Sequence, residues 1–221
     1  MIVTIAGQGG SAANTIVAQN LALLRARAGR RVLLVDSDPQ QAAAQWARQR
    51  YEDGLKPNIL AETIPGGDLG VRLEALQRRC HDIVTHTESR DSPASRAALI
   101  AARTVVVPVT AGQVDLESQY QLIARLNSAR MFNPGLRVLF VIMGGCADPS
   151  GVEMSAVRAY VAHVMSASLA GTVIHTQGAT GSACASTQCV CEAPERNARA
   201  AAEMKELYRE VFVVSKLAIA A

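Results

Sequence analysis

Lysine is nearly missing from this chain of 221 residues. Of its 22 basic side chains only Lys56, Lys205 and Lys216 are lysines, the other nineteen are arginines, and the first 55 residues contain no lysine at all. Any chemistry that needs a lysine early in the chain is thereby excluded. No uninterrupted apolar run approaches the roughly 18 residues needed to cross a bilayer, so no membrane partner is expected. A strong charge imbalance is also lacking: a net charge of +3 does not by itself mark a nucleic-acid binder. The five cysteines are odd in number, and the chain opens on Met1-Ile-Val-Thr-Ile without a basic leader. Both features predict free thiols and a cytoplasmic location.

What is present supports a substantial core. Apolar residues make up 49% of the chain and charged residues 19%, which excludes global disorder. The length fits one domain, expected over residues 1–212, followed by an apolar tail at 213–221. That tail carries one charge and no basic face, so it is expected to dock on protein rather than on a lipid surface. Strands are predicted at residues 2–6, 31–36, 82–87, 104–109, 136–143 and 171–175. Runs such as Val32-Leu-Leu-Val and Val105-Val-Val are apolar on both faces, as parallel strands covered by helices require. Helices are predicted at residues 15–28, 41–51, 116–131, 152–165 and 195–212. Alternating strands and helices imply an α/β fold: a doubly wound, mostly parallel sheet with helices on both faces. In such sheets ligands bind at the carboxyl ends of the strands.

The first of those ends reads Ala6-Gly-Gln-Gly-Gly-Ser-Ala-Ala-Asn-Thr-Ile and leads into a helix. Small side chains let backbone N–H groups approach an anion, and the helix dipole favours it. The second strand closes on Val35-Asp-Ser-Asp-Pro-Gln-Gln, which places two carboxylates beside that loop.

With the flanking Gly29-Arg-Arg and Trp46-Ala-Arg, these motifs resemble the ParA/MinD/Soj partition ATPases, P-loop proteins of the deviant Walker type. Asp82-Ile-Val-Thr-His-Thr-Glu-Ser-Arg-Asp-Ser looks like the family's third strand and switch, Val105-Val-Val-Pro-Val looks like its fourth strand, and Val190-Cys-Glu followed by Asn197-Ala-Arg-Ala-Ala-Ala-Glu-Met resembles the ending of the small plasmid-type members. It implies ATP and Mg2+ as cofactors, with Asp36 and Asp38 as catalytic residues and Thr15 and Asp36 at the metal. It further implies nucleotide contacts from Gly9, Gly10, Ser11, Ala12, Ala13, Asn14 and Thr15, and from Arg90 and Asp91. A homodimer, a ParB-like or cargo-adaptor partner and nonspecific DNA binding are implied in the same way.

The chain departs from the family pattern around that ligand. The family loop Lys-Gly-Gly-x-Gly-Lys-Thr-Thr places its two lysines on Gly9 and Asn14, and its last glycine on Ala13. His86 stands where the third strand usually ends in an aspartate that supports magnesium. Met143 runs into Gly144-Gly145-Cys146 where an asparagine reads adenine, and Gln177 replaces an arginine. Lysines supply charge where the transferred phosphoryl oxygens accumulate it, so little or no ATP hydrolysis is expected. Arg25, Arg27 and Arg30 lie a helix away and are poor substitutes.

The expected function is therefore a ParA-like partition or positioning protein with a degraded ATP site. The alternatives are a working ParA-type ATPase with an unusual loop, and a non-enzymatic scaffold or regulator of an intact paralogue. A charge pair between Asp38 and His86 could take the metal's place. Cys184, Cys189 and Cys191 lack paired Cys-x-x-Cys spacing and read as small buried residues rather than zinc ligands. Arg196, Arg199, Lys205 and Arg209 share the last helix with interleaved glutamates, as a solvated face would.

Overall fold

Seven strands form one sheet in the order β3-β2-β4-β1-β5-β6-β7, and every neighbouring pair runs parallel. The strands are β1 (Ile2–Ile5), β2 (Val32–Asp36), β3 (Leu60–Thr63), β4 (Asp82–His86), β5 (Thr104–Thr110), β6 (Arg137–Gly144) and β7 (Ala167–His175). The helices are α1 (Ser11–Arg27), α2 (Ala42–Glu52), α3 (Leu69–Gln77), α4 (Pro93–Ala101), α5 (Leu116–Phe132), α6 (Gly151–Ala162) and α7 (Ala198–Phe212). This computed structural model describes residues 1–7, 11–113, 116–145, 147–175, 187–192 and 197–213. Of the expected tail at 213–221, residues 214–221 lie outside the described residues, as do Gly9, Gly10, Cys146, Gln177, Cys184 and Arg196.

Each buried strand serves two cores, because successive side chains point to opposite faces. Val3, Ile5, Val106, Leu139 and Val141 pack with Ile16 and Leu21 of α1, Trp46 of α2, and Leu207 and Phe212 of α7. Their alternates Val105, Val107, Val138 and Phe140 pack against Leu122 and Leu126 of α5 and Tyr160 of α6. Ile2, Val35 and Ile83 meet Leu69 and Leu73 of α3 and Ala98 of α4. Thus α1, α2 and α7 cover one face, and α3 to α6 cover the other, so the doubly wound expectation holds. The adjacent strands β1 and β4 send their helices to opposite faces, which opens a crevice at their carboxyl ends.

Three elements escaped the sequence-based expectation. Strand β3 is a four-residue edge whose Leu60 is 64% exposed, so it shows neither an apolar run nor a clean alternation. Helix α3 is only nine residues long. Helix α4 carries a start signal: Ser92 caps it reciprocally with Ser95, and Pro93 occupies its first turn. Its small alanine-rich face hides the usual apolar stripe. Strand β7 starts earlier than expected, at Ala167, with a register shift against β6 between Phe140 and Ile142.

At the opposite end of the sheet, Asp82 opens β4 with its side chain buried. Arg25 Nε donates to Asp82 Oδ2 at 2.8 Å and Arg30 Nε at 3.2 Å. Burial alone would raise the Asp82 carboxyl, but the two guanidinium groups outweigh it and hold the group below the usual carboxylate range. A depressed native pKa stabilises the fold above the unfolded value, about 3.9, and that contribution is lost as pH falls through the native value. Asp82→Asn is therefore expected to cost roughly 1–3 kcal/mol near neutral pH in urea unfolding. The gap between variant and wild type should close as the pH is lowered below the carboxylate range.

Candidate functional site

The parallel register brings three chain ends to one place. His86, the last residue of β4, lies in register with Ile5 at the end of β1 and with Asp36 at the end of β2. Helix α1 begins at Ser11, directly above the end of β1, and puts Thr15 on its inner side. Thr15, Asp36 and His86 are all buried, the latter two with no exposure at all.

His86 spans the gap between the helix and the strand. Its Nδ1 lies 3.0 Å from Asp36 Oδ1, and its Nε2 lies 3.2 Å from Thr15 Oγ1. A carboxylate only accepts hydrogen bonds, which assigns the ring proton to Nδ1 and leaves Nε2 to meet the Thr15 hydroxyl. Asp36 is further engaged. Its Oδ1 accepts from the Asp38 N–H at 3.1 Å, and its Oδ2 accepts from the Ala44 N–H in the first turn of α2 at 2.9 Å. A carboxylate at a helix N-terminus also gains from the helix dipole.

The partner of His86 is thus Asp36, not Asp38 as the sequence suggested. Beyond Asp36 the chain turns tightly, with Asp38 N–H folded back on the Asp36 side chain. Asp38 itself accepts from the Gln40 N–H at 2.8 Å. The backbone reinforces the junction, since the His86 carbonyl accepts from both Ser37 N–H at 3.0 Å and Ser37 Oγ at 3.1 Å.

Asn14, at the family's lysine position, turns inward. It is 1% exposed, and its Oδ1 lies 2.6 Å from where a Cβ on Gly7 would stand. Only a glycine at position 7 lets the amide lie there. Asn14 Nδ2 is buried and has no hydrogen-bond partner among the described residues. Ala12 and Ala13 are partly exposed at the helix start.

Arg90 and Asp91 occupy the loop after β4. Asp91 is bonded to Arg96 of α4, Nε to Oδ1 at 2.8 Å, and that hydrogen bond holds its carboxyl below the usual range. Arg125 of α5 reaches the same loop, donating to the carbonyls of Arg90 at 2.8 Å and Ser89 at 2.9 Å. Neither Arg90 nor Asp91 is hydrogen-bonded to the Thr15–His86–Asp36 cluster among the described residues.

At the end of β6, a Cβ on Gly144 would stand 3.0 Å from Val173 and 3.2 Å from the His175 ring. His175 Nδ1 lies 2.7 Å from Glu203 and its Nε2 3.2 Å from Asp148, a network that Arg199 joins by bonding to both acids. No local pattern announces it, because its members come from β7, α7 and the loop before α6. Arg199 is thereby paired with acids, as is Arg209 with Glu206, in line with the solvated face expected of the last helix. Cys189 and Cys191 lie in the core as expected; burial pushes the Cys191 thiol up to about 11. No metal-binding group of His, Cys, Asp or Glu occurs among the described residues.

A doubly wound parallel sheet whose second strand ends in an aspartate at the crevice beside the start of α1 has the architecture of a P-loop-type nucleotide-binding domain. Residues 3–182 match the CobQ/CobB/MinD/ParA nucleotide binding domain, and the chain belongs to that family. It is 33% identical over 169 residues to the chromosome-partitioning ATPase Soj of Thermus thermophilus, covering 64% of this chain and 68% of that protein. Apo McdA of Cyanothece superimposes with a TM-score of 0.69 at 16% identity, covering 95% of this chain and 99% of that one. MinD of Pyrococcus horikoshii, complexed with Mg-ADP, gives 0.65 at 15% identity over 98% and 97% of the two chains. No helix among the described residues is long and apolar enough to cross a membrane.

Removing the Asp36 carboxylate strands the His86 ring and two buried N–H groups. Asp36→Ala is expected to destabilise the fold by about 3–5 kcal/mol, the range for breaking a buried pair from one side. Urea unfolding monitored at Trp46 checks this; a loss near zero would show that the junction is not held by the carboxylate.

Proposed function

We propose that this chain is a partition or positioning protein of the ParA/MinD type whose ATP site has lost metal-dependent hydrolysis. One observation carries the proposal: the His86 imidazole sits between Thr15 and Asp36, the two residues that the family pattern assigns to Mg2+. The residues at that position do not fit an oxygen-ligated magnesium ion as they stand. Such an ion requires near-octahedral oxygen ligands at about 2.0–2.1 Å. Here one oxygen of Asp36 is taken by the ring and by Asp38 N–H, the other by Ala44 N–H, and the hydroxyl faces the ring.

The phosphate end supports the same conclusion. Asn14 brings an uncharged amide folded onto Gly7 where the family has a lysine, so the charge that offsets developing negative charge is missing. What persists is the N-terminus of α1, whose free backbone N–H groups and dipole favour an anion. In this proposal Gly9, Gly10, Ser11, Ala12 and Ala13 remain the contacts of a weakly bound nucleotide. Asp36 and Asp38 then serve as structural groups rather than catalysts. The partners proposed are a second copy of the chain and a ParB-like or cargo-adaptor protein. Nonspecific DNA is a weaker candidate, since Arg199 and Arg209 of α7 are already paired with acids.

Calorimetric titration with ATP and with ADP, in Mg2+ and in chelator, tests this. Nucleotide affinity should be the same within about twofold in the two conditions, and phosphate release should not exceed the buffer background. A tenfold or greater gain of affinity with Mg2+, about 1.4 kcal/mol, together with turnover, would establish the working-ATPase alternative. Asn14→Lys alone is expected to leave turnover at background, because His86 still occupies the metal position.

A further inference from the structure

The turns that lead into β2 and β4 bring four arginines to one corner of the sheet, at its amino edge. Arg30 and Arg31 follow α1, and Arg78 and Arg79 follow α3. Pairing of β2 with β4 sets the two turns side by side: the Arg31 carbonyl accepts from His81 N–H at 2.9 Å and from Asp82 N–H at 3.3 Å. Arg30 spends its Nε on Asp82, but Arg31 and Arg79 are exposed and join no ion pair among the described residues. Like charges gathered without counterions repel one another, and their field is felt locally. Desolvation, with Arg30 and Arg31, holds the neighbouring His81 imidazole below its ordinary value.

Apolar surface lies open beside these cations. Strand register puts Leu33 of β2 opposite Leu60 of β3, and both are incompletely covered: Leu33 is half-buried and Leu60 is 64% exposed. With Leu76 of α3 they line a groove of about 380 Å3 that Arg30, Arg31 and Arg79 also line. Glu62, the acid among the described lining residues, is bonded to Arg72 of α3.

We propose that this groove docks an acidic peptide segment of a partner protein. One apolar side chain sits over Leu33, Leu60 and Leu76, and flanking carboxylates pair with Arg31 and Arg79. A guanidinium meets a carboxylate through two parallel N–H donors, and an apolar patch beside arginines is what recognition surfaces favour. Charge selects this occupant over a second copy of the chain, which in a twofold contact brings the same arginines to the same corner. The leucines select an apolar side chain over a bare polyanion. The groove lies at the amino edge, away from Thr15 and Asp36, and the inference does not rest on the nucleotide reading.

Calorimetry of the full chain without nucleotide, using the acetylated and amidated peptide Glu-Glu-Leu-Leu-Glu-Glu, tests this. Wild type should bind one peptide per chain, at least about tenfold more tightly than Gln-Gln-Leu-Leu-Gln-Gln or Glu-Glu-Ser-Ser-Glu-Glu. Arg31→Ala combined with Arg79→Ala should weaken binding by about tenfold or more, as should Leu60→Asp. Arg158→Ala, at an exposed position of α6, should bind as wild type does. If Leu60→Asp does not fold, Leu60→Ser provides the same reading. Binding that survives loss of both arginines, or equal binding of the serine peptide, would overturn the inference. So would a folded wild type that binds no peptide. A dimer of the free chain that Leu60→Asp dissociates in sedimentation would assign the groove to a second copy and overturn it as well.

Discussion

The contact between the His86 ring and the Asp36 carboxylate is the point to which the carboxyl edge of the sheet is tied. It links β2 to β4 by side chains where their backbone pairing ends, and through Thr15 it ties both strands to α1. Buried polar groups of this kind are costly unless every one finds a partner. Here Asp36 has three, and the His86 carbonyl has two more from Ser37. The junction is therefore a closed hydrogen-bond network with no requirement for a ligand to complete it. The buried amide nitrogen of Asn14, the neighbour of Thr15, has by contrast no hydrogen-bond partner among the described residues.

How much of this was legible in the sequence depends on how local each signal is. The strands of the sheet interior were readable because they are apolar on both faces, and α1 because Gly29 stops it with a positive φ of 76°. Strand β3 was not, since an exposed edge of four residues, Leu60-Ala-Glu-Thr, needs no apolar pattern to pair with β2. Its existence follows from the open edge of β2, which is tertiary information. Helix α4 could have been found from Ser92-Pro93, a capping signal that outweighs its weak apolar stripe.

The site shows the same division. The residue types at 14, 15, 36 and 86 were visible in the sequence, and so was the mismatch between a histidine and a magnesium shell. The choice between Asp36 and Asp38 as its partner was not. Both are two residues apart and carry the same group, so side-chain period alone places them alike. The strand ends at Asp36, however, and the turn that follows points Asp38 toward Gln40. Register between strands from distant parts of the chain, Asp36 opposite His86, decides the pairing. The His175–Glu203–Asp148–Arg199 network was invisible for the same reason, since its members are brought together only by the packing of α7 against β7.

The excess of arginine over lysine acquires a physical sense from these contacts. A guanidinium offers five donors in a planar fork and binds several acceptors at once, whereas an ammonium acts as a point charge. Arg50 is fully buried and donates to both oxygens of Glu192 and to the carbonyls of Lys56, Pro57 and Thr187, clamping residues 187–192 onto α2. Arg27 shares Glu192, Arg25 and Arg30 share Asp82, and Arg125 secures the loop after β4 through two carbonyls. These cations are spent on fastening the chain to itself at sites distant from Thr15 and Asp36. A family member whose catalysis relied on a mobile charge at the phosphates would need a lysine or arginine free to move there. Arg25, Arg27 and Arg30 are instead held by buried carboxylates at the far end of α1, so the charge missing at Asn14 is not returned by the nearest arginines in the sequence.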